Sequence, residues 1–355
     1  MILLLVLLVI IFLLLIRKNK LIWSIILLLL GLICYFSKDI PDMEIYREYY
    51  DSVGKKVYTD FLGNGWKWLC IFGNYFKLDY YVFKSIIYVF SCLIVLLTIK
   101  RITKKVSMVF GIYLITIGLL DLIQIRFFLA ASLGVYFLVL FLNSKRKSKY
   151  LFYLMAISLL YFIHSSMLFL LIFIIIPFNR KVDFRGIFIL LSFCSLLVLM
   201  VFPSFIISVF EFVLPEYQLE RITLYLNNEK VSIIGLIVYS LFYIIPLIGY
   251  EKIIKNSKKF PSTSITNISA YRLINYILLL TIPLVYMSSD FMRLNRMFIV
   301  LNMCVFVNAF YLRDLKGNLL GVKCSMKRML KVTYISYFVL FVFIFNFKAV
   351  VLFLF

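Results

Sequence analysis

Apolar stretches long enough to cross a bilayer follow one another from end to end of this 355-residue chain, and that repetition closes most architectures to it. Runs of about 18 or more apolar residues read as membrane spans. Inside lipid each backbone N–H and C=O needs a partner within the protein, which an α-helix supplies by itself. The hydrophobic fraction of 64% and the mean hydropathy of +1.05 lie far from those of a soluble globular domain. The sequence predicts an all-α fold, a polytopic integral membrane helix bundle forming a single domain over 1–355, with no polar segment large enough to fold as a separate soluble domain.

Charge orients the bundle. The formal net charge is +22, yet the basic residues come in short clusters at the ends of apolar runs, which is the positive-inside pattern and not a nucleic-acid footprint. The clusters are Arg17/Lys18/Lys20, Lys100/Arg101/Lys104/Lys105, Lys145/Arg146/Lys147/Lys149, Arg180/Lys181/Arg185, Lys252/Lys255/Lys258/Lys259 and the stretch 313–331, all expected in the cytoplasm. The loops 38–80 and 203–230 and the short breaks at 121–126, His164 and 288–296 hold most of the acidic residues and are expected on the extracytoplasmic side. Joining these anchors takes about twelve crossings, near 1–16, 20–37, 81–99, 106–120, 127–142, 150–163, 165–178, 187–209, 231–250, 269–287, 297–312 and 332–354, with both termini outside. The runs 150–163 and 165–178 are short for full spans and suit re-entrant segments as well; a single long tilted helix there would turn the later basic loops outward. The run 1–16 has no basic region before it and no small-residue cleavage site after it, so it is expected to be a retained span. The six cysteines are scattered and form neither a disulfide framework nor a CxxC pattern.

Ionisable residues at membrane depth are costly and by default mark function. Gln124 and Arg126 precede the small residues Ala130, Ala131 and Gly134, which permit close approach of a helix or a lipid chain. An arginine there can fork onto a phosphate, or it can snorkel or pair with Asp121. His164, the only histidine, sits between two apolar half-runs, where it is a candidate general base, a substrate-positioning group or a helix-joining hydrogen-bond partner. Asp290, Arg293 and Arg296 repeat every third residue; two nearby guanidiniums repel unless an anion lies between them or Asp290 neutralises one, and a diphosphate would satisfy both. The loop 38–80 carries Asp42, Tyr46, Tyr50, Trp66 and Trp68, carboxylates and flat rings suited to sugars, although tryptophans also populate the membrane interface. No Walker A, HExxH or GxSxG pattern occurs, so no cofactor and no metal are expected.

Taken in order, these positions resemble the EpsG family of exopolysaccharide proteins, a branch of the Wzy-type polysaccharide polymerases. The resemblance rests on Asp42, Tyr46 and Tyr50 in a D-x-x-x-Y-x-x-x-Y element, Trp66 and Trp68, Ile125/Arg126/Ala130, Phe162/His164/Ser165/Ser166, Tyr225 in the later outer loop, and Arg293/Arg296/Phe298. Where the family often carries Gln after its IR arginine this chain has Phe127, and where a Glu often precedes the first-loop aromatic it has Gly65. The resemblance implies a metal-independent, inverting glycosyltransferase in the bacterial cytoplasmic (inner) membrane. Such an enzyme joins undecaprenyl-diphosphate-linked oligosaccharide donor and acceptor units on the outer face, for capsule, exopolysaccharide or O-antigen. Arg126, Arg293 and Arg296 would hold the diphosphate, His164 would take the acceptor's proton, and Asp42, Tyr46, Tyr50, Trp66, Gln124, Tyr225 and Asp290 would bind substrate. Membrane lipid and a chain-length regulator are the other implied partners.

Other readings differ in what they require. A lipid-linked oligosaccharide flippase also needs cations for diphosphate, but transporters often carry repeated halves and broken mid-span helices, and no internal repeat is visible here. A membrane acyltransferase modifying surface polysaccharide fits a lone intramembrane histidine but has less use for three arginines. A polyprenyl-phosphate-sugar glycosyltransferase would favour an acidic loop directly after the first span, whereas the acidic loop here follows the second. A non-enzymatic scaffold is the remaining reading.

Overall fold

A computed structural model describes residues 20–38, 43–55, 63–180, 185–201, 231–256 and 268–311, and every regular element among them is helical. The expected first and last spans, 1–16 and 332–354, and the loop 203–230 lie outside the described residues. The chain divides into two compact units.

The first unit holds α1 (Lys20–Phe36), α2 (Met43–Gly54), α3 (Asn64–Tyr75), α4 (Tyr80–Ile102), α5 (Val106–Tyr113), α6 (Leu119–Ile123), α7 (Ile125–Asn143) and α8 (Lys149–Ile163). Helix α4 is its axis and packs against both α1 and α7. Asp79 caps it by accepting from the Tyr81 N–H at 2.9 Å, and Lys100 and Arg101 face the negative end of its dipole. Helix α1 approaches at Gly31, where a Cβ would lie 3.1 Å from a methyl of Val89. The expected span near 106–120 is interrupted: α5 runs through a π-helical turn, Leu114–Gly118, into α6, and the Tyr88 hydroxyl donates to the Gly118 carbonyl at 2.9 Å. Single π turns recur at functional sites, and this one leads to the break before Arg126.

The loop 38–80 is expected as an outer loop with no structure assigned to it, yet it folds into α2 and α3, which pack on each other. Asn74 donates to the Tyr50 and Cys70 carbonyls at 3.0 Å each, and the Tyr50 hydroxyl donates to the Leu78 carbonyl at 2.9 Å.

The half-runs expected at 150–163 and 165–178 meet at His164, whose backbone is extended with φ −151° and ψ 118°. Before it α8 is an α-helix of 15 residues, about 22 Å long. After it Ser165–Arg180 winds as a 3-10 helix of 16 residues, which at about 2.0 Å per residue measures roughly 32 Å. That length matches a hydrocarbon core of about 30 Å, which the same run wound as an α-helix would not reach. Met167, Leu170, Phe173 and Ile176 are the buried positions, one in every three, as three residues per turn requires. Met167 and Leu170 fill the space above Gly134 of α7, so the close approach that this glycine permits is made by protein and not by a lipid chain.

The second unit holds α9 (Arg185–Val201), α10 (Ile233–Asn256), α11 (Ile268–Leu278), α12 (Ile282–Met287) and α13 (Met292–Arg296), followed by α14 (Ile299–Tyr311), which joins the first unit from Val300 onward. Glu251 ties three of these helices: it lies 3.4 Å from Arg185 and 3.3 Å from Arg272, and it accepts from the Tyr276 hydroxyl at 2.9 Å. The side chains are partly exposed, so Glu251→Gln is expected to cost about 1–2 kcal/mol, between a surface pair and a buried one. A thermal melt of the purified variant checks this. An unchanged melting temperature would mean that the three helices are held elsewhere.

Large apolar side chains lie exposed along α8, α9 and the start of α10, among them Leu151, Met155, Leu159, Leu190, Phe193 and Ile234, while Ser91, Thr98, Lys84 and Asn302 are buried. A water-soluble chain arranges its residues the other way round. Among the described residues, 4 helices are long and apolar enough to cross a membrane: Tyr80–Ile102, Ile125–Asn143, Ile233–Ile254 and the compound helix Ile268–Met287.

Candidate functional site

The end of the first unit that carries His164 is built by three chain segments brought close together. Gly63 and Gly65, at the start of α3, face the last residues of α8; a Cβ on Gly65 would stand 2.7 Å from the carbonyl carbon of Phe162 and 2.9 Å from the Ile163 nitrogen. Gly63 adopts φ +86°, a left-handed conformation that glycine takes without cost. Any side chain at position 65 would meet backbone in this arrangement. Helix α3 also reaches the start of α7: burial pushes the Cys70 thiol up to about 12, and the nearby Arg126 guanidinium pulls it the other way. Arg126 occupies the first turn of α7 directly after Gln124, and its Nε is buried. The next residue, Phe127, sets its ring edge-on to the imidazole of His164, 5.2 Å between centroids. Arg126 and His164 therefore share one end of one unit, beneath α3.

The His164 ring is held on one side. The Ser166 backbone N–H points at Nδ1 from 3.4 Å, and the Ser166 hydroxyl lies 2.7 Å from the same nitrogen. Asp121, at the neighbouring break, is buried and accepts from the Tyr113 hydroxyl at 2.6 Å.

The rings of the 38–80 loop are placed differently from the expectation that they meet sugar. Trp66 is 1% exposed and Tyr50 is 2% exposed; with Phe83 and Tyr80 they form a packed aromatic cluster, and Tyr46 is set edge-on to Trp66. In this structure Trp66 and Tyr50 hold α2 and α3 together and present no open face. The exposed rings among the described residues of this loop are Trp68, Phe72 and Tyr75 of α3 and Phe76 just after it. Asp42 and Tyr225 lie outside the described residues.

In the second unit, Ser288 breaks the compound helix and accepts from the Asp290 N–H at 3.3 Å. Arg293 lies 2.8 Å from the Asp290 carboxylate, both side chains being partly exposed. Arg296 is turned inward and buried, beside the buried Asn295. The three-residue spacing thus joins Asp290 to Arg293 and leaves Arg296 on the inner side of the segment.

Sequence reasoning misses Lys84, although a lysine inside the apolar run Tyr80–Ile102 is itself a signal. It is 2% exposed, and its ammonium donates to the Ser37 carbonyl at 3.3 Å and meets the Met43 sulfur at 3.5 Å. Among the described residues no three His, Cys, Asp or Glu side chains gather as a metal-holding set.

With every regular element among the described residues helical, several of them able to cross a membrane, and ionisable side chains at their breaks, the chain is a multi-pass membrane protein. It belongs to the EpsG family, whose family model matches residues 20–355, nearly the whole chain. No match was found among curated proteins or among solved structures.

Proposed function

We propose that this protein polymerises polyprenyl-diphosphate-linked oligosaccharide repeat units on the outer face of the bacterial cytoplasmic membrane, within a bundle of about twelve spans whose basic loops face inward. Family membership points to an exopolysaccharide-associated, polymerase-like role. The observation that carries the reading further is the placement of Arg126 and His164 at one end of one unit, under the helical 38–80 loop.

The reaction is a displacement at the donor's anomeric carbon. The acceptor's hydroxyl oxygen bonds to that carbon from the side opposite the diphosphate, so configuration inverts. The bond from carbon to diphosphate oxygen breaks with its electron pair on oxygen, and the departing lipid diphosphate ends with the proton that the acceptor gives up. Negative charge grows on the leaving oxygen, where a preorganised guanidinium is worth most. Arg126 is assigned that work in the first unit, and Arg293 and Arg296 are assigned to phosphate binding in the second. His164 supplies an imidazole at the reacting end, and the direction in which it helps depends on which ring nitrogen carries the proton. Asp42, Tyr46, Gln124 and Tyr225 are assigned to the sugars and Asp290 to holding Arg293. The donor, the acceptor and a chain-length regulator are the partners this reading requires.

The test is a comparison of lipid-linked saccharides and surface polymer in cells with and without the protein. Single repeat units on the outer leaflet with no polymer support polymerisation. Units trapped on the inner leaflet mean a flippase, and unchanged polymer length with altered acylation means an acyltransferase.

A further inference from the structure

Two contacts converge on one nitrogen of the only imidazole in the chain. A backbone N–H can only donate, so the Ser166 N–H aimed at His164 Nδ1 requires a lone pair there. The Ser166 hydroxyl at 2.7 Å can turn its proton to the same lone pair, and its rotation costs little. A neutral imidazole with a lone pair on Nδ1 carries its proton on Nε2. The opposite tautomer would put Nδ1–H against the backbone N–H and forfeit that bond.

We propose that Ser166 is a positioning residue that holds His164 with its proton on Nε2, so that the ring gives a hydrogen bond to a phosphoryl oxygen of the lipid-linked saccharide instead of taking the acceptor's proton. No bond to hydrogen is made or broken at the imidazole in this role. The acceptor's proton leaves with the diphosphate, and Nε2–H joins Arg126 in stabilising its charge. The choice of a phosphoryl oxygen rests on the polymerase reading; the tautomer does not.

The competing account is that His164 is only a cap. Its side-chain Nδ1 accepts from the second residue of the 3-10 helix, and the Met167 N–H bonds its carbonyl at 3.0 Å, which is what an N-cap residue does. Two substitutions separate the accounts. In His164→Asn the amide oxygen falls where Nδ1 was, and asparagine is among the best caps, but nothing reaches the Nε2 position. In His164→Gln the amide nitrogen reaches that position as a donor.

A single histidine makes the tautomer directly readable. The full chain is labelled with 15N-histidine, purified through a histidine-free tag into lipid nanodiscs, and its long-range proton–nitrogen spectrum recorded where the ring is neutral. The expected result is one unprotonated nitrogen at Nδ1 and one protonated at Nε2, a preference that weakens measurably but is not abolished in Ser166→Ala, which loses the hydroxyl and keeps the backbone N–H. A proton on Nδ1 in the native chain overturns the proposal, and a spectrum unaffected by Ser166→Ala removes the Ser166 side chain from it, leaving the backbone N–H alone to set the tautomer. In polymer assays His164→Asn is expected to fall by about 100-fold or more, the usual effect of losing one oxyanion donor, while His164→Gln keeps a measurable fraction. Activity kept by Asn and lost by Gln would reduce His164 to a cap. If the native chain itself makes no polymer from lipid-linked units, the polymerase reading and the phosphoryl target fall, while the spectrum still decides the tautomer.

Discussion

Cells in which Arg126→Ala replaces the native chain are expected to keep single repeat units on the lipid carrier and to lose surface polymer by about 100-fold or more, corresponding to about 2.7–4 kcal/mol of transition-state stabilisation. The size of the effect follows from position. Arg126 lies in the first turn of α7, half-buried with its Nε sealed, so water screens its charge less than it would an exposed arginine's. Arg126→Lys is not expected to restore polymer, because an ammonium is a point charge on a flexible stem and cannot fork onto two phosphoryl oxygens. The measurement is the ladder of polymer lengths at matched protein abundance. Abundance has to be matched because Arg126 has its Nε buried, and truncating it leaves space in the packing at the start of α7. Normal polymer from Arg126→Ala would take the diphosphate role away from this residue.

The second large effect is expected at Gly65. A Cβ there would sit 2.7 Å from the Phe162 carbonyl carbon, and backbone at the end of a helix cannot step aside as a flexible side chain does. Gly65→Ala should cost about 1–3 kcal/mol, the usual range for overpacking, and Gly65→Glu should cost more. Because α3 would be pushed off the end of α8 just before His164, activity should fall with stability. Gly186→Ala is the matched control: a Cβ there meets nothing within 4 Å, and alanine favours a helix by about 1 kcal/mol over glycine. Melting temperatures of the two variants should move in opposite directions. A Gly65→Ala protein as stable as the native chain would mean that α3 does not rest on α8.

The membrane fold was legible because apolar length is read directly from sequence. The span expected near 20–37 is α1, that near 127–142 is α7, and 150–178 is broken at His164 into two segments, the arrangement the later basic loops favoured over one long tilted helix. What stayed hidden depended on partners that hydropathy does not name. The aromatic residues of the 38–80 loop look alike in sequence, yet Trp66 is sealed by Phe83 and Tyr46 while Trp68 stands open two residues away, because about half a turn of α3 separates inside from outside. The spacing of Asp290, Arg293 and Arg296 suggested one helical side; the change from a 3-10 turn to α13 lets the first two meet and turns Arg296 inward. Gly65 carries no signal of its own in the sequence, and only the Phe162 backbone beside it shows that a side chain does not fit there. Ser166 was visible as part of a motif, but its hold on one nitrogen of the imidazole was not.

The 3-10 helix after His164 imposes a reading frame on a stretch that looks like undifferentiated apolar sequence. With three residues per turn its inner face is spelled by Met167, Leu170, Phe173 and Ile176, and the intervening positions are spelled out of it. Deleting one residue within that stretch would carry every later member of the series a third of a turn away from its seat. Deleting three would leave the face in phase and only shorten the rod, by about 6 Å. An α-helix of the same composition tolerates neither change so selectively, so the two deletions, compared for insertion and folding, read out the winding of this segment without any structure determination.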